Sequence, residues 1–336
     1  MNRALITAAL LAAVSIAATA RPSAAQEAPE RSIVNIAPDL YRVQNNNHYT
    51  VFLVTPEGII MSDPISRDFA TWLKGELQKR FNRPVRYVLY THHDWDHASG
   101  GAVFADTAQF VAHYNFPEEL TLPAGDLPLP ENVRKSDANQ NGRLERGEAP
   151  KNMMATFDLT DANKDGALSG AELARGPLNE VHPPTRTFSG RQTVTLGGKT
   201  VEMVYLGDAH APDSTAIYFP KERVVFSADV MQAKRLPQAV APSIGAYIDA
   251  MRTIESLDFD IAATGHAMAG TKADVTALRE YLEQVVTTVA SGIAAGRTLK
   301  EIQQTAKFDA VKGWERGDTQ PPLHIAQVYA TLKGTR

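Results

Sequence analysis

Five side chains able to bind a metal ion fall between positions 92 and 97: His92, His93, Asp94, Asp96 and His97, closed by Ala98-Ser99-Gly100-Gly101. Imidazole together with carboxylate suits Zn²⁺ and related transition ions. So many titratable groups on one turn repel one another unless a cation offsets them. A solitary histidine would read as structural; five ligand-type residues in one loop do not. Val85, Tyr87, Val88, Leu89 and Tyr90 just before them are β-branched or aromatic and read as a strand. The cluster therefore sits on the loop at a strand's C-terminal end, where a rigid scaffold can point several ligands at one place.

Further ligand types recur after later strands: His210 in Gly207-Asp208-Ala209-His210, Asp229 in Phe226-Ser227-Ala228-Asp229, and His266 in Thr264-Gly265-His266. With His92-x-Asp94-x-Asp96-His97 they resemble the metallo-β-lactamase-fold hydrolases and their His-x-His-x-Asp-His signature, over roughly residues 33–270. The resemblance implies an α/β fold, a four-layer αββα sandwich with its metals at one edge. It implies a first metal on His92, Asp94 and His210, a second on Asp96, His97 and His266, and Asp229 bridging them. Asp96 is the catalytic candidate, and Asp63 is expected to brace the metal loop from behind. The family usually carries His where this chain has Asp94. A rival registration takes His93 as the ligand and puts Asp94 behind it.

Two cations about 3.5–4 Å apart share a water and lower its pKa toward neutrality. The bridging hydroxide then attacks an ester, lactone or related carbonyl, and the metals stabilise the oxyanion. Zinc, two ions per chain, is the expected cofactor; the harder oxygen of Asp94 tilts the first site toward Mn²⁺ or Fe²⁺. The fold supports β-lactam, lactone, thioester, sulfate-ester and phosphoester hydrolysis, so the substrate is expected only to be a small molecule. Asp229 at the bridging position leans toward lactonase and glyoxalase-like branches. Trp95, Asp208 and Asp213 lie near the site in sequence. The alternative is a non-catalytic calcium- or metal-binding module on a degenerate hydrolase scaffold.

A second signature interrupts the first. Asp137-x-Asn139-x-Asn141-Gly142 runs on to Glu148, and Asp161-x-Asn163-x-Asp165-Gly166 to Glu172. Both match the EF-hand calcium loop at every specified position. Side chains at positions 1, 3, 5 and 12 supply oxygens, with the position-7 carbonyls of Arg143 and Ala167, for up to two Ca²⁺. Leu144 and Leu168 are apolar anchors. Fewer acidic ligands in the first loop predict weaker binding there. Residues 149–160 leave room for one shared helix through Met153, Met154 and Phe157.

The chain has 336 residues, a net charge of −4 and no cysteine. The charge argues against nucleic-acid binding, and the absent cysteine removes disulfides, thiolate nucleophiles and Cys-held metals. Arg3, an apolar run from Ala4 to Ala20, and Ser23-Ala24-Ala25 read as a signal peptide cleaved near Ala25. This predicts a periplasmic or secreted protein with no stable membrane anchor.

The expected organisation is a signal peptide at 1–25, a first metallo-β-lactamase-like part at 26–116, and an EF-hand-like insertion at 117–184. A second part follows at 185–270, then a helical region at 271–336. Within it, Ser66 to Arg80 reads as an amphipathic helix through Phe69, Trp72, Leu73 and Leu77. Tyr49–Val54 with Ile59–Met61, and Val194–Leu196 with Val201–Leu206, read as hairpins. Thr271-x-x-Asp274 and Thr298-x-x-Glu301 are helix-opening capping boxes. The C-terminal helices are expected to complete the outer layer rather than reach the site.

Overall fold

The computed structural model describes residues 28–240 and 243–334. The proposed signal peptide lies outside the described residues. In chain order the strands are β1 (Arg31–Ala37), β2 (Leu40–Asn45), β3 (His48–Thr55), β4 (Gly58–Ser62), β5 (Val85–Leu89) and β6 (Gln109–His113). Next come β7 (Leu144–Glu145), β8 (Ala167–Leu168), β9 (Arg186–Phe188), β10 (Arg191–Leu196), β11 (Lys199–Tyr205), β12 (Thr215–Phe219), β13 (Val224–Phe226) and β14 (Ile261–Ala263). The helices are α1 (Arg67–Phe81), α2 (Trp95–Ala98), α3 (Phe116–Glu119), α4 (Glu131–Arg134), α5 (Phe157–Thr160), α6 (Gly170–Arg175), α7 (Ile244–Glu255), α8 (Lys272–Ala294), α9 (Leu299–Thr305) and α10 (Pro321–Lys333).

Among the described residues these strands form a seven-stranded sheet, β1-β2-β3-β4-β5-β6-β9, and a five-stranded sheet, β10-β11-β12-β13-β14. Antiparallel hairpins build the outer part of each sheet. β11, which leads to His210, is antiparallel to both neighbours, whereas β4, β5 and β6 in the first sheet and β13 and β14 in the second pair in parallel. Such strands are buried on both faces, which is why Val, Ile and Leu fill them without alternation. Leu53, Ile60, Leu89 and Val111 of the first sheet meet Met203, Ile217, Phe219 and Phe226 of the second in one core. Phe69, Leu73 and Leu77 of α1 cover the outer face of the first sheet. Met251 of α7, Leu278 and Leu282 of α8, and Ile325 of α10 cover the second. The order is helix, sheet, sheet, helix.

Local signals explain the boundaries. Ser66 caps α1 by accepting from the Phe69 N–H, and Asn82 ends it in the left-handed conformation. Both predicted capping boxes open α8 and α9.

Between β6 and β9 lies a satellite. Leu144 and Leu168 pair antiparallel in β7 and β8 and join Leu129, Val133 and Phe157 in a small separate core. Its inter-loop segment differs from the single helix anticipated. Pro150 starts a 3₁₀ turn at Lys151–Met153, and α5 begins only at Phe157. A non-helical Thr156 between them turns Phe157 inward. The satellite is tied to the metal loop. Asn179 Nδ2 donates to the carbonyls of Asp158 (2.9 Å) and Asp161 (2.6 Å). The Glu180 carbonyl accepts from Gly100 N–H at 2.9 Å, and Val181 bridges Ser99.

Candidate metal centre

Each candidate ligand emerges at a strand end. His92, His93 and Asp94 leave β5; Asp96 and His97 lie on the one-turn α2 that follows. His210 follows β11, Asp229 follows β13 and His266 follows β14. The sheets bring these loops to one edge. His92 Nε2 lies 3.4 Å from Asp94 Oδ2, which is 3.1 Å from His210 Nε2. His97 Nε2 lies 3.0 Å from His266 Nε2. Asp229 faces both groups: Oδ2 is 3.7 Å from His210 Nε2, and Oδ1 is 3.2 Å from the Nε2 atoms of His97 and His266. Two donor sets that could hold cations therefore share one carboxylate. The first is His92, Asp94, His210 and Asp229; the second includes His97, His266 and Asp229.

The donor chemistry fits a divalent cation. His92 Nε2 and Asp229 Oδ1 are buried without a hydrogen-bond partner, although each points into the cluster. Buried polar atoms are rarely left so unless an ion or water completes them. The tautomers are set from behind. Asp63 accepts from Thr91 N–H at 2.9 Å and Thr91 Oγ1–H at 2.6 Å. With the Thr91 proton committed, His92 Nδ1, 3.0 Å from Thr91 Oγ1, is the donor of that pair. Its Nε2 lone pair is left for the centre. Asp63 Oδ2 also faces His97 Nδ1 at 3.4 Å, and His266 Nδ1 lies 3.2 Å from the Asn47 carbonyl. One buried carboxylate thus orients the His92 imidazole through Thr91 and lies beside the His97 ring, and a backbone oxygen orients His266.

Electrostatics agree. Burial acts to lower the His97 pKa, but the Asp229, Asp63 and Asp96 carboxylates outweigh it and raise it well above the ordinary value. Burial acts to raise Asp229, and the adjoining His97, His266 and His92 hold it well below. Burial likewise opposes ionisation of Asp94, but His92 and His210 keep its pKa low. These carboxylates are ionised and gathered where a cation would sit. Gly265 permits the crowding: a Cβ there would lie 2.7 Å from His97 Cε1 and 2.9 Å from Asp229 Oδ1.

The structure separates the two registrations of the metal loop. Asp94 joins His92 and His210, whereas His93 turns away and its Nδ1 meets buried Asp213 Oδ1 at 2.9 Å. Trp95 lines the cavity over the centre, and Asp208 is exposed. Asp96 Oδ2 lies 3.5 Å from His266 Nε2 and 3.1 Å from His48 Nε2.

His48 was not anticipated. It opens β3 after the Asn45-Asn46-Asn47 turn and forms a further three-residue cluster with Asp96 and His266. No spacing links it to the other ligands, and only pairing of the β3 edge with the 265 loop, through Tyr49 N–H to the Gly265 carbonyl at 2.8 Å, brings it in.

The cavity above the centre encloses about 680 Å³. Its far wall carries Arg235, Arg316 and Tyr247, which the sequence reading did not single out. Arg316 belongs to the C-terminal region, so that region does more than complete the outer layer.

The calcium-type loops have matching internal geometry. Asp137 Oδ2 accepts from Gly142 N–H at 2.9 Å, and Asp161 Oδ2 from Gly166 N–H at 3.0 Å. Glu148 Oε1 accepts from Ala138 N–H (3.1 Å) and Glu172 Oε1 from Ala162 N–H (2.9 Å). Asn139 and Asn163 accept from the backbone N–H two residues on, both at 2.9 Å. Asn141 and Asp165 do likewise, at 2.9 and 3.0 Å. The Arg143 guanidinium reaches Asp165 and the Ala167 carbonyl of the second loop.

The 2,4-dinitroanisole O-demethylase subunit alpha of Nocardioides sp. (strain JS1661) is 26% identical over 256 residues, 75% of this chain and 62% of the relative. The linear primary-alkylsulfatase of Pseudomonas sp. (strain ATCC 19151) is 26% identical over 240 residues, 71% of this chain and 44% of the relative. The chain thus spans less than two thirds of either relative's length. The solved structure of an inverting sec-alkylsulfatase from Pseudomonas sp. superposes with a TM-score of 0.62 at 16% identity, over 91% of this chain and 51% of that one. The sequence model of the metallo-β-lactamase superfamily matches residues 55–266, and the chain belongs to that superfamily as an enzyme of hydrolase type.

Proposed function

We propose that the protein is a binuclear metal-dependent hydrolase of the periplasm or exterior, cleaving an ester, lactone or related bond in a small molecule. The observation that carries this reading is the split of Asp229, one oxygen toward His210 and the other toward His97 and His266. His92, Asp94 and His210 would hold one cation and Asp96, His97 and His266 the other, with His48 beside Asp96. Zinc suits the imidazoles, and Asp94 admits Mn²⁺ or Fe²⁺. When bound, such a pair acidifies a water molecule and stabilises developing negative charge.

The chain's own residues do the rest. Asp63, through Thr91, holds His92 in the tautomer that presents Nε2, and its charge lies beside His97 Nδ1. Burial opposes ionisation of Asp96, but His48, His97 and His266 outweigh it and keep its pKa below the ordinary value. Its carboxylate therefore accepts hydrogen bonds at the cavity floor. Tyr247, its pKa raised by burial and by Asp229 and Asp94, stays protonated and offers a donor to the cavity.

The names of the alkylsulfatase relatives favour a second reading, in which the scissile bond belongs to a sulfate ester. The tandem loops at Asp137–Glu148 and Asp161–Glu172 would bind calcium and hold the insertion together, a reading supported by two complete motifs and the pairing of Leu144 with Leu168. The primary test is metal analysis of purified protein, then turnover of carbonyl and sulfate esters with the metal found. Two transition ions per chain and turnover lost in His97→Ala uphold the proposal; stoichiometric calcium with no transition metal at any loading overturns it.

A further inference from the structure

The cavity wall facing the ligand loops is built from two turns about eighty residues apart in the chain. Glu315 N–H donates to the Lys234 carbonyl at 2.9 Å, and Leu236 N–H to the Glu315 carbonyl at 3.1 Å. Each turn holds a non-glycine residue in the left-handed region, Lys234 at φ 54° and Arg316 at φ 65°. Such backbones persist only where the surroundings enforce them, and they cluster at functional sites.

The two arginines on this wall differ in their engagements. Arg235 is spoken for: Nη1 donates to the His266 carbonyl at 2.9 Å, and Nε lies 3.0 Å from Glu315 Oε1. It braces the wall against the centre. Arg316 lines the cavity, and among the described residues no carboxylate comes within 4.0 Å of its guanidinium. Burial and the neighbouring charge of Arg235 act to lower its pKa and outweigh Glu315 and Asp229, which act to raise it, yet a guanidinium keeps its proton at neutral pH. With no carboxylate in contact, this half-buried guanidinium has room for an anion that enters the cavity. Gln232 and Tyr247 add neutral polar groups to the same cavity, and Gln232 Oε1 is buried without a partner.

We propose that Arg316 is a specificity-determining residue that binds a fixed negative charge on the substrate, so that the enzyme takes an anionic ester, with a sulfate monoester as the probe of choice. The planar guanidinium fits two oxygens of such a group at once. The proposal rests on the hydrolase reading above and adds the charge of the substrate to it. The competing role for Arg316 is that of a distant counter-charge to Asp229, and the test separates the two.

The metal-loaded wild type is compared with Arg316→Asn, which tolerates the left-handed backbone, and with Arg316→Lys. The substrates are 4-nitrophenyl sulfate and neutral 4-nitrophenyl acetate. For Arg316→Asn we expect kcat/KM on the sulfate to fall about 100-fold, mostly through KM, and on the acetate by less than about 3-fold. Arg316→Lys should recover part of the sulfate loss. Equal losses on both esters, or none on the sulfate, overturn the proposal. If Arg316→Asn fails to fold, Arg316→Lys carries the same comparison, a selective loss on the sulfate supporting the proposal and an equal one overturning it. Where the wild type cleaves neither ester, calorimetric titration with octyl sulfate reads the subsite directly. Saturable binding that is lost in the variant sustains the anion site while the hydrolase reading falls; binding unchanged or absent in both proteins overturns the site itself.

Discussion

The candidate metal centre and the proposed calcium loops would solve the same problem, gathering donor atoms for a cation, in opposite ways. The candidate ligands of the centre come from loops spread between His92 and His266, each loop following the end of a strand. Every imaginable disturbance of one ligand meets a scaffold already held by two sheets and their shared core. The proposed calcium loops would take all their oxygens from twelve consecutive residues each. Their support is a core of Leu129, Val133, Leu144, Phe157 and Leu168 and a two-residue strand pair. A core that small supplies little stability by itself, so an ion bound there contributes directly to folding. Preorganisation by the scaffold suits chemistry, which needs donors fixed before the substrate arrives. Preorganisation by the ion suits a structural clip.

The comparison can be broken from either side, and the largest effect is expected at the centre. His97→Ala should remove metal from the shared site and turnover with it, by more than the roughly 10–100-fold typical of losing an outer partner, while thermal melting stays near wild type. Collapse of the fold on that substitution would mean the sandwich too is held by its ions. Asp63→Asn should weaken metal retention in a chelator competition by about 10–100-fold, since one carboxylate fixes His92 through Thr91 and places its charge beside His97. His48→Ala sharpens the same side: loss of one metal equivalent would make it a ligand, and full loading with altered turnover would make it a partner of Asp96.

On the other side, calcium chelation should expose residues 117–184 to protease while the two sheets stay resistant. Identical digestion with and without chelator would mean the insertion is folded by its small core alone. The smallest effect concerns the cavity wall. His324 Nδ1 lies 2.7 Å from Tyr281 Oη, and its Nε2 lies 3.0 Å from the Pro237 carbonyl at the rim. Burial lowers its pKa from 6.5 to about 4, the Pro237 carbonyl acting in the other direction. The unfolded chain therefore takes up the proton first. This contribution is complete above pH 6.5 and is lost as pH falls toward about 4, at a limiting slope of about 1.4 kcal/mol per pH unit. Denaturant midpoints for wild type and His324→Gln across that window should converge at the acid end; parallel curves would remove His324 from the account.

Much of this molecule was legible as sequence because its signals are local. His92-x-Asp94-x-Asp96-His97 lies within one turn of a predicted strand, the calcium-type motifs are contiguous, and Ser66, Thr271 and Thr298 mark helix starts by the hydrogen bonds they make three residues on. Residues legible only afterwards have partners far away in the chain. His48 needs the 265 loop, and Arg316 needs the turn at Lys234. The inter-loop segment misled for another reason: twelve residues are enough for a helix, but Pro150 and the demand to bury Phe157 divide them.

Residue types and short spacings alone pointed to an α/β protein with a metal site, and to the calcium loops proposed for its insertion, because a ligand's chemistry and a turn's geometry are properties of a few neighbouring residues. Tertiary structure alone decided that Asp94 rather than His93 faces His210, that His48 joins Asp96 and His266, and which arginines line the cavity. Those are distances between strand ends and distant turns, and they exist only once the sheets have packed.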